Sequence, residues 1–490
     1  MVVRGRTLVL SLIAVMLFSS FFTLFILEKN DYLKYQEDGS TVLPQTSSSS
    51  VKNPEKADAE LNRFIEAYQK IMSTYVEQKS ENDLIDGAIS GMVESLNDLH
   101  SSYMDAEETE SFFGSLSNSF EGIGAEVTME NGRVTVVSPI KGSPSEKAGI
   151  QPRDQIINVN GESLEGLNLF EAVNKIRGPK GTNAKLEIIR PGLTDPITIS
   201  VIRDAIPITT VRHETISTRD GIIGKIEITN FGESTAKEFK TALVELESKE
   251  IQGLIIDVRG NPGGYLQSVL DIGNLLIPNN GVILQIEDRN TGIQPYKSAL
   301  KEPKYPIVAI IDKGSASASE ILAAALQEAG NYPIVGETSY GKGTVQSPFE
   351  LSDGSNLKLT IAKWLTPKGN WIHTKGVQPD IEVAQPEYYK AISFLEDVTL
   401  SLDMNNSQVS NLQLILKGLG FDPKRQDGYF DQNTEIAVKA FQKINGLPAN
   451  GIVEQATAKK LQEKLIERLK DPNSDLQLQV AMETLINLIE

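Results

Sequence analysis

Apolar positions recur at three- and four-residue spacing between residues 54 and 118: Leu61, Phe64, Ile65, Tyr68 and Ile71, then Ile85, Ile89, Met92 and Leu96. That period predicts amphipathic helices packing on another surface. From Phe120 it gives way to short β-rich runs at 134–137, 155–159 and 185–189, with one helical segment at 168–176. Residues 119–206 therefore form one β-rich domain. Beyond His213, strand, loop and helix alternate. The apolar run 253–258 enters the loop Arg259-Gly260-Asn261-Pro262-Gly263-Gly264 and a helix over 265–276. The run 306–311 enters the loop 312–316 and an Ala/Leu-rich helix over 317–329. A third strand, 332–335, precedes the glycine-bearing loop 336–343. Such alternation predicts an α/β core over 207–400, with its site at the carboxyl ends of the strands. Residues 407–466 read as a small helical module with Leu412, Leu416, Tyr429, Phe430, Ala437, Phe441 and Leu447 as its core. Residues 471–490 form an amphipathic terminal helix, exposing Leu476, Leu478, Met482, Leu485 and Leu488 for docking or dimerisation, or free to fray. The fold class is multidomain α/β.

The amino terminus changes the expected compartment. Arg4 and Arg6 precede 21 uncharged residues, 7–27. As a helix these span about 30 Å, the thickness of a bilayer core. Basic residues on the amino side favour a cytoplasmic amino terminus. No small-residue cleavage site follows, so residues 1–28 are expected to stay as a single-pass membrane anchor. Cleavage would release a secreted form. Residues 29–53, with serines at 47–50, read as a tether.

Composition narrows the chemistry. Forty per cent of the 490 residues are hydrophobic, enough for a sizeable core. Lys and Arg total 47 against 65 Asp and Glu, a net charge of −18. This argues against nucleic-acid binding, which needs a basic face. The absence of cysteine excludes disulfides and a thiolate nucleophile. His100, His213 and His373 are the only histidines and share no close spacing, so no metal site is expected. Hydrolytic chemistry would have to run without a histidine base.

Two loops carry candidate chemistry. Gly314-Ser315-Ala316-Ser317-Ala318-Ser319-Glu320 joins a buried strand to a helix. Small residues there admit a substrate backbone, and the helix start offers unpaired N–H groups to developing negative charge. A serine in this turn is a candidate nucleophile; serine also caps helices, and Ser319 suits that role. Lys342, between Gly341 and Gly343, is a candidate base if desolvation lowers its pKa, or a solvated surface cation. Gln346 follows four residues later.

Three resemblances sharpen this. Gly122-Ile123-Gly124-Ala125, Ser143-Pro144-Ser145-Glu146-Lys147-Ala148-Gly149-Ile150 and Gly161 after 156–160 resemble a PDZ domain, with Gly122, Ile123, Gly124 and Ala125 as its carboxylate-binding loop. Asp427-Gly428-Tyr429-Phe430-Asp431, Thr434, Ala437, Phe441-Gln442, Gly446-Leu447 and Gly451 resemble the peptidoglycan-binding helical domain of secreted cell-wall proteins. The PDZ-like region followed by 257–264, 314–320 and 341–346 resembles the carboxyl-terminal processing, or tail-specific, proteases. That likeness implies a ClpP/crotonase-like βα core and a serine endopeptidase. In it Ser317 is the nucleophile, Lys342 (25 positions later) the base and Gln346 its support. The N–H of Ala318 and that of Gly263 or Gly264 form the oxyanion hole. The implied enzyme needs no cofactor and takes protein substrates by their free carboxyl termini. It sits at the membrane with its catalytic part extracytoplasmic, as a homodimer, and contacts peptidoglycan. Arg177, at the end of the PDZ helix, reads either as a solvated surface arginine or as the residue that docks that domain on the protease core when a tail is bound. The rival is an inactive PDZ and wall-binding scaffold. A crotonase-type acyl-CoA enzyme is the weaker alternative, since no basic cluster suits a nucleotide.

Overall fold

The computed structural model describes residues 54–490 except 117–118, 131, 141, 192, 194, 220, 303, 393, 395–397 and 490. The expected anchor and tether lie outside the described residues. Among those described, no helix is long and apolar enough to cross a membrane.

The chain divides into two units. The first holds the described residues up to Tyr103 together with 346–352 and 356–360. It carries the helices Pro54–Thr74 and Glu81–Glu94. Tyr103 Oη donates to Asp86 Oδ1 at 2.6 Å, and the Thr360 N–H donates to Ser101 Oγ at 3.0 Å. The stripe expected to be packed is largely open: Leu61, Phe64, Ile65, Ile71 and Met92 are exposed, and Val93 is the buried residue of the second helix.

The second unit holds the rest. Its first part is a six-strand antiparallel sheet in the order Ala125–Glu130, Arg133–Pro139, Gln155–Val159, Asn183–Ile189, Ile197–Ile202, with Glu162–Ser163 also pairing with Gln155–Val159. Alternating residues such as Val134, Val136, Leu186 and Ile188 close its core against Ala172 and Ile176 of the helix Leu169–Ile176. Asn168 caps that helix, its Oδ1 accepting from the Glu171 N–H while the Glu171 carboxylate accepts from the Asn168 N–H. Ala125–Glu130 is an edge strand of this sheet.

The next part is a six-strand sheet: Val211–Ser217, Ile222–Ile228, Gly253–Asp257, Ile307–Ile311, Ile334–Gly336, Ile381–Glu382. The first pair is antiparallel and the rest are parallel. Gly253–Asp257 and Ile307–Ile311 are buried throughout, as the apolar runs 253–256 and 307–311 require of central parallel strands. The helices Leu266–Leu276 and Ala318–Glu328 follow these strands, and nine residues of the latter are buried. The module beyond has three main helices, Ser407–Gly418, Gln432–Ile444 and Gln455–Lys470. Leu412, Leu416, Phe430, Ala437 and Phe441 are fully packed and Leu447 packs against them. Tyr429 is not core: its Oη donates to Asp403 at 2.6 Å and Arg425 stacks over its ring.

The terminal helix, Leu476–Ile489, is a correction. Its apolar stripe does not await a partner. Leu478, Ala481 and Leu485 are buried against Ile223, Ile255, Val308, Ile310 and Val335 of the parallel sheet. Burying each leucine side chain stabilises by about 1.5–3 kcal/mol, which ties the end of the chain to the parallel sheet.

Candidate active site

The site forms where three strands end. The strand Ile307–Ile311 stops at Asp312, whose Oδ1 accepts from the N–H groups of Gly314 and Ser315 and from that of Gly260 across the cleft, at 2.9, 3.1 and 2.8 Å. The turn ends on Ser317, with φ 54° and ψ −112°. A non-glycine residue there costs about 1–3 kcal/mol and is held by its surroundings. The helix Ala318–Glu328 starts immediately after it.

Glu320 does the holding. Its side chain is fully buried and accepts four donors: the N–H of Ser317 at 2.8 Å, that of Lys342 at 2.8 Å, that of Gly341 at 2.6 Å and Ser339 Oγ at 2.5 Å. One carboxylate thus joins the candidate nucleophile's turn to the loop of the candidate base. Two indoles complete that loop. Trp364 Nε1 donates to the Lys342 carbonyl and Trp371 Nε1 to the Gly343 carbonyl, both at 2.8 Å. His373 stacks on Trp371 and its Nδ1 accepts from the Gly343 N–H at 3.3 Å. Gln346 lies on the strand Thr344–Glu350, and its Nε2 donates to Thr360 Oγ1 at 3.1 Å.

Asn261, fully buried, organises the glycine loop. Its Nδ2 donates to the Ile228 carbonyl at 2.8 Å and its Oδ1 accepts from the Gly263 N–H at 2.9 Å. Its carbonyl accepts from the Ala316 N–H at 3.0 Å and from Ser319 Oγ at 2.9 Å. Gly263 has φ 106°, and a Cβ there would lie 2.8 Å from Ser317 Cβ and 3.0 Å from the Ala318 nitrogen. Of the expected oxyanion donors, Gly263 is therefore nearest Ala318, and its N–H is engaged by Asn261. Ser319 is not a helix cap; with Ser315, whose Oγ donates to the Val258 carbonyl at 2.8 Å, it laces the two loops together. The motif at 314–320 by itself gives Glu320 no role, and no local pattern marks Trp364, Trp371 or His373 as part of the site. Glu three residues after a helix-start serine is a legible capping signal; the other contacts are not local.

In the antiparallel domain, Ile123 is buried and the Gly124 carbonyl accepts from Ser145 Oγ at 2.6 Å, so the Gly122–Ala125 turn rests on the predicted 143–150 segment. Arg177 is exposed and its guanidinium lies 4.9 Å from the centre of the Phe120 ring, beside Gly122.

Four family models match stretches of this chain. Peptidase family S41 matches residues 222–383, a PDZ domain 135–190, a peptidoglycan binding domain 405–461, and the activating protease CtpB N-terminal domain 21–109. The carboxy-terminal processing protease CtpB of Bacillus subtilis is 47% identical over 90% of this chain and 93% of its own length. The chain belongs to peptidase family S41. As such it is a serine peptidase. CtpA of the same organism is 45% identical over 91% of this chain and 93% of its own. A CtpA-like serine protease of Staphylococcus epidermidis is 36% identical over 88% and 86%.

Proposed function

We propose that this chain is a carboxy-terminal processing endopeptidase working through a Ser317–Lys342 dyad. One observation carries the reading: Glu320 Oε2 accepts the N–H of both residues, so one buried oxygen sets both loops. Ser317 Oγ attacks the scissile carbonyl while Lys342 Nζ takes its proton. The lysine returns that proton to the leaving amine, and water then hydrolyses the acyl-enzyme. The Ala318 N–H, with that of Gly263 or Gly264, receives the oxyanion. Gln346 supports the lysine. Using Gly263 requires its N–H to turn from Asn261 Oδ1 towards substrate.

The edge strand Ala125–Glu130 and the Gly122–Ala125 turn support capture of a substrate's free carboxyl terminus by strand addition. The uncharged run 7–27 and the lack of cysteine support a membrane-anchored, extracytoplasmic enzyme, and the match at 405–461 supports a peptidoglycan contact. The uncovered stripe Leu61, Phe64, Ile65 and Ile71 supports a homodimer.

The test is cleavage of an unstructured protein with a free carboxyl terminus. Ser317→Ala is expected to abolish cleavage. Lys342→Arg should be as inactive as Lys342→Ala, because arginine keeps its proton near neutral pH. An active Lys342→Arg would refute the base assignment. Equal, background-level cleavage by wild type and Ser317→Ala would leave a scaffold.

A further inference from the structure

Arg259 lies two residues before Asn261, at the root of the glycine loop. Its guanidinium is largely buried, and all five of its N–H donors are used. Nε donates to Asp257 Oδ1 at 2.9 Å and Nη2 to Asp257 Oδ2 at 2.6 Å. The remaining bonds cross to the far end of the chain. Nη2 reaches Asp475 Oδ2 at 2.7 Å, and Nη1 reaches Asp475 Oδ1 at 2.9 Å and Gln477 Oε1 at 3.1 Å. Asp475 is itself held. Its Oδ1 accepts from the Leu478 N–H at 3.0 Å, capping the terminal helix, and from Gln385 Nε2 at 2.6 Å. Gln477, fully buried, donates from Nε2 to the Val383 carbonyl at 2.8 Å.

The geometry points to Asp475 as a positioning residue for the oxyanion loop, acting through Arg259 from 216 positions along the chain. The inference rests on the Ser317–Lys342 reading. The protease core tethers the glycine loop through the Asn261 amide, the Ser315 and Ser319 hydroxyls, the Ala316 N–H and the bond from the Gly260 N–H to Asp312. The Arg259 clamp adds a tether from Asp475 and Gln477, at the start of the terminal helix beyond the peptidoglycan-binding-like module. A planar guanidinium with every donor engaged fixes both position and orientation of the backbone it hangs from, which an ammonium cannot do. The clamp's reach to Gly263 is short: Arg259 leads through Gly260, Asn261 and Pro262 to Gly263, whose carbonyl accepts from the Phe231 N–H at 2.9 Å. A loop displaced by a fraction of an ångström loses alignment with the transition-state oxygen while substrate contacts elsewhere persist.

The experiment compares full-length wild type, Ser317→Ala, Asp475→Asn, Asp475→Ala, Arg259→Lys and Leu485→Ala. It measures kcat, KM and Tm on one peptide substrate at a temperature where all are folded. Asp475→Asn keeps the size and the cap on Leu478 but loses the charge. The expected result is a fall in kcat of about tenfold or more for Asp475→Asn, Asp475→Ala and Arg259→Lys, with KM within about twofold of wild type. Leu485→Ala loosens the same helix without touching the clamp; it should lower Tm and keep kcat. Wild-type kcat in Asp475→Asn, or an equal kcat loss in Leu485→Ala, would overturn the positioning role and leave the clamp a structural staple. Residual cleavage in Ser317→Ala would instead overturn the dyad on which the inference rests, so the two failures are told apart.

Discussion

The backbone N–H groups of Ser317 and Lys342 donate to the same atom, Glu320 Oε2, each at 2.8 Å. The turn of the candidate nucleophile and the loop of the candidate base are separate in sequence, and this oxygen joins them. Glu320→Gln should break it, because an amide nitrogen would face donors that need an acceptor. Each buried N–H left without a partner costs about 1–3 kcal/mol. Glu320→Gln is expected to lower thermal stability and cut kcat by about a hundredfold, the size of effect that misplacing a catalytic group by an ångström produces. Wild-type turnover in that variant, measured alongside its melting curve, would show that the shared oxygen is not needed.

The positive φ of Ser317 leads to a second expectation. Ser317→Gly and Ser317→Ala both remove the proposed nucleophile and should both be inactive. They should differ in stability, because glycine adopts this backbone without the steric cost alanine suffers. Ser317→Gly should be more stable than Ser317→Ala by about 1 kcal/mol, read from denaturant midpoints at equal slope. Identical midpoints would mean that the turn is not strained.

Gly263 tests how closely the two loops approach. A Cβ there would meet Ala316 O and Ser317 Cβ at 2.8 Å, on a backbone with φ 106°. Gly263→Ala should abolish cleavage and destabilise by about 1–3 kcal/mol. Ser319→Ala removes a single bond to the Asn261 carbonyl and should cost about 1 kcal/mol, with partial activity. Reversed severities, seen in paired melts and rate assays, would contradict this packing.

The clamp has a defined pH window. Burial works against a charged Asp475, and its bonds to Arg259 more than offset that, so the carboxyl titrates below its ordinary value. A carboxyl lowered in the folded state contributes stability above its unfolded pKa and loses it as pH falls through the folded one. The stability gap between wild type and Asp475→Asn should therefore stay constant from neutral pH down to about pH 5 and close only below about pH 4. A gap that closes between about pH 6 and pH 7 would mean that another group controls the clamp.

Arg177 stacks over Phe120 beside the Gly122–Ala125 turn. We propose that a tail bound in that turn acts through it. Arg177→Ala should lower the cleavage rate at saturating substrate and leave binding of a carboxyl-terminal peptide within about twofold. Calorimetry of the peptide and rates on one substrate check both halves. Full activity would return Arg177 to a surface role.

Much of the catalytic loop could be read from the chain because its determinants are local. Strands 253–257 and 307–311 announce themselves by the apolar runs 253–256 and 307–311, the loops by glycine and serine, and the helix at 169–176 by its Asn168–Glu171 cap. Ser317, Lys342 and Gln346 were legible as motif positions. Less legible were the side chains that hold the site. Ser319 looked like a cap and is a strut to Asn261. Tyr429 looked like core and lies at the surface under Arg425. His373 looked incidental and accepts from Gly343 beside the candidate base.

The sequence by itself determined the order of domains, the periods of their elements and the small-residue turns, because hydrophobic periodicity and glycine's backbone freedom act over a few residues. Only the tertiary structure decided which distant groups share a buried bond. The terminal helix read as a free amphipathic segment; folding seats it on the parallel sheet and brings Asp475 to Arg259. Burial is the physical reason: a guanidinium and a carboxylate removed from water must each find a partner, and the packed core, not spacing along the chain, chooses it.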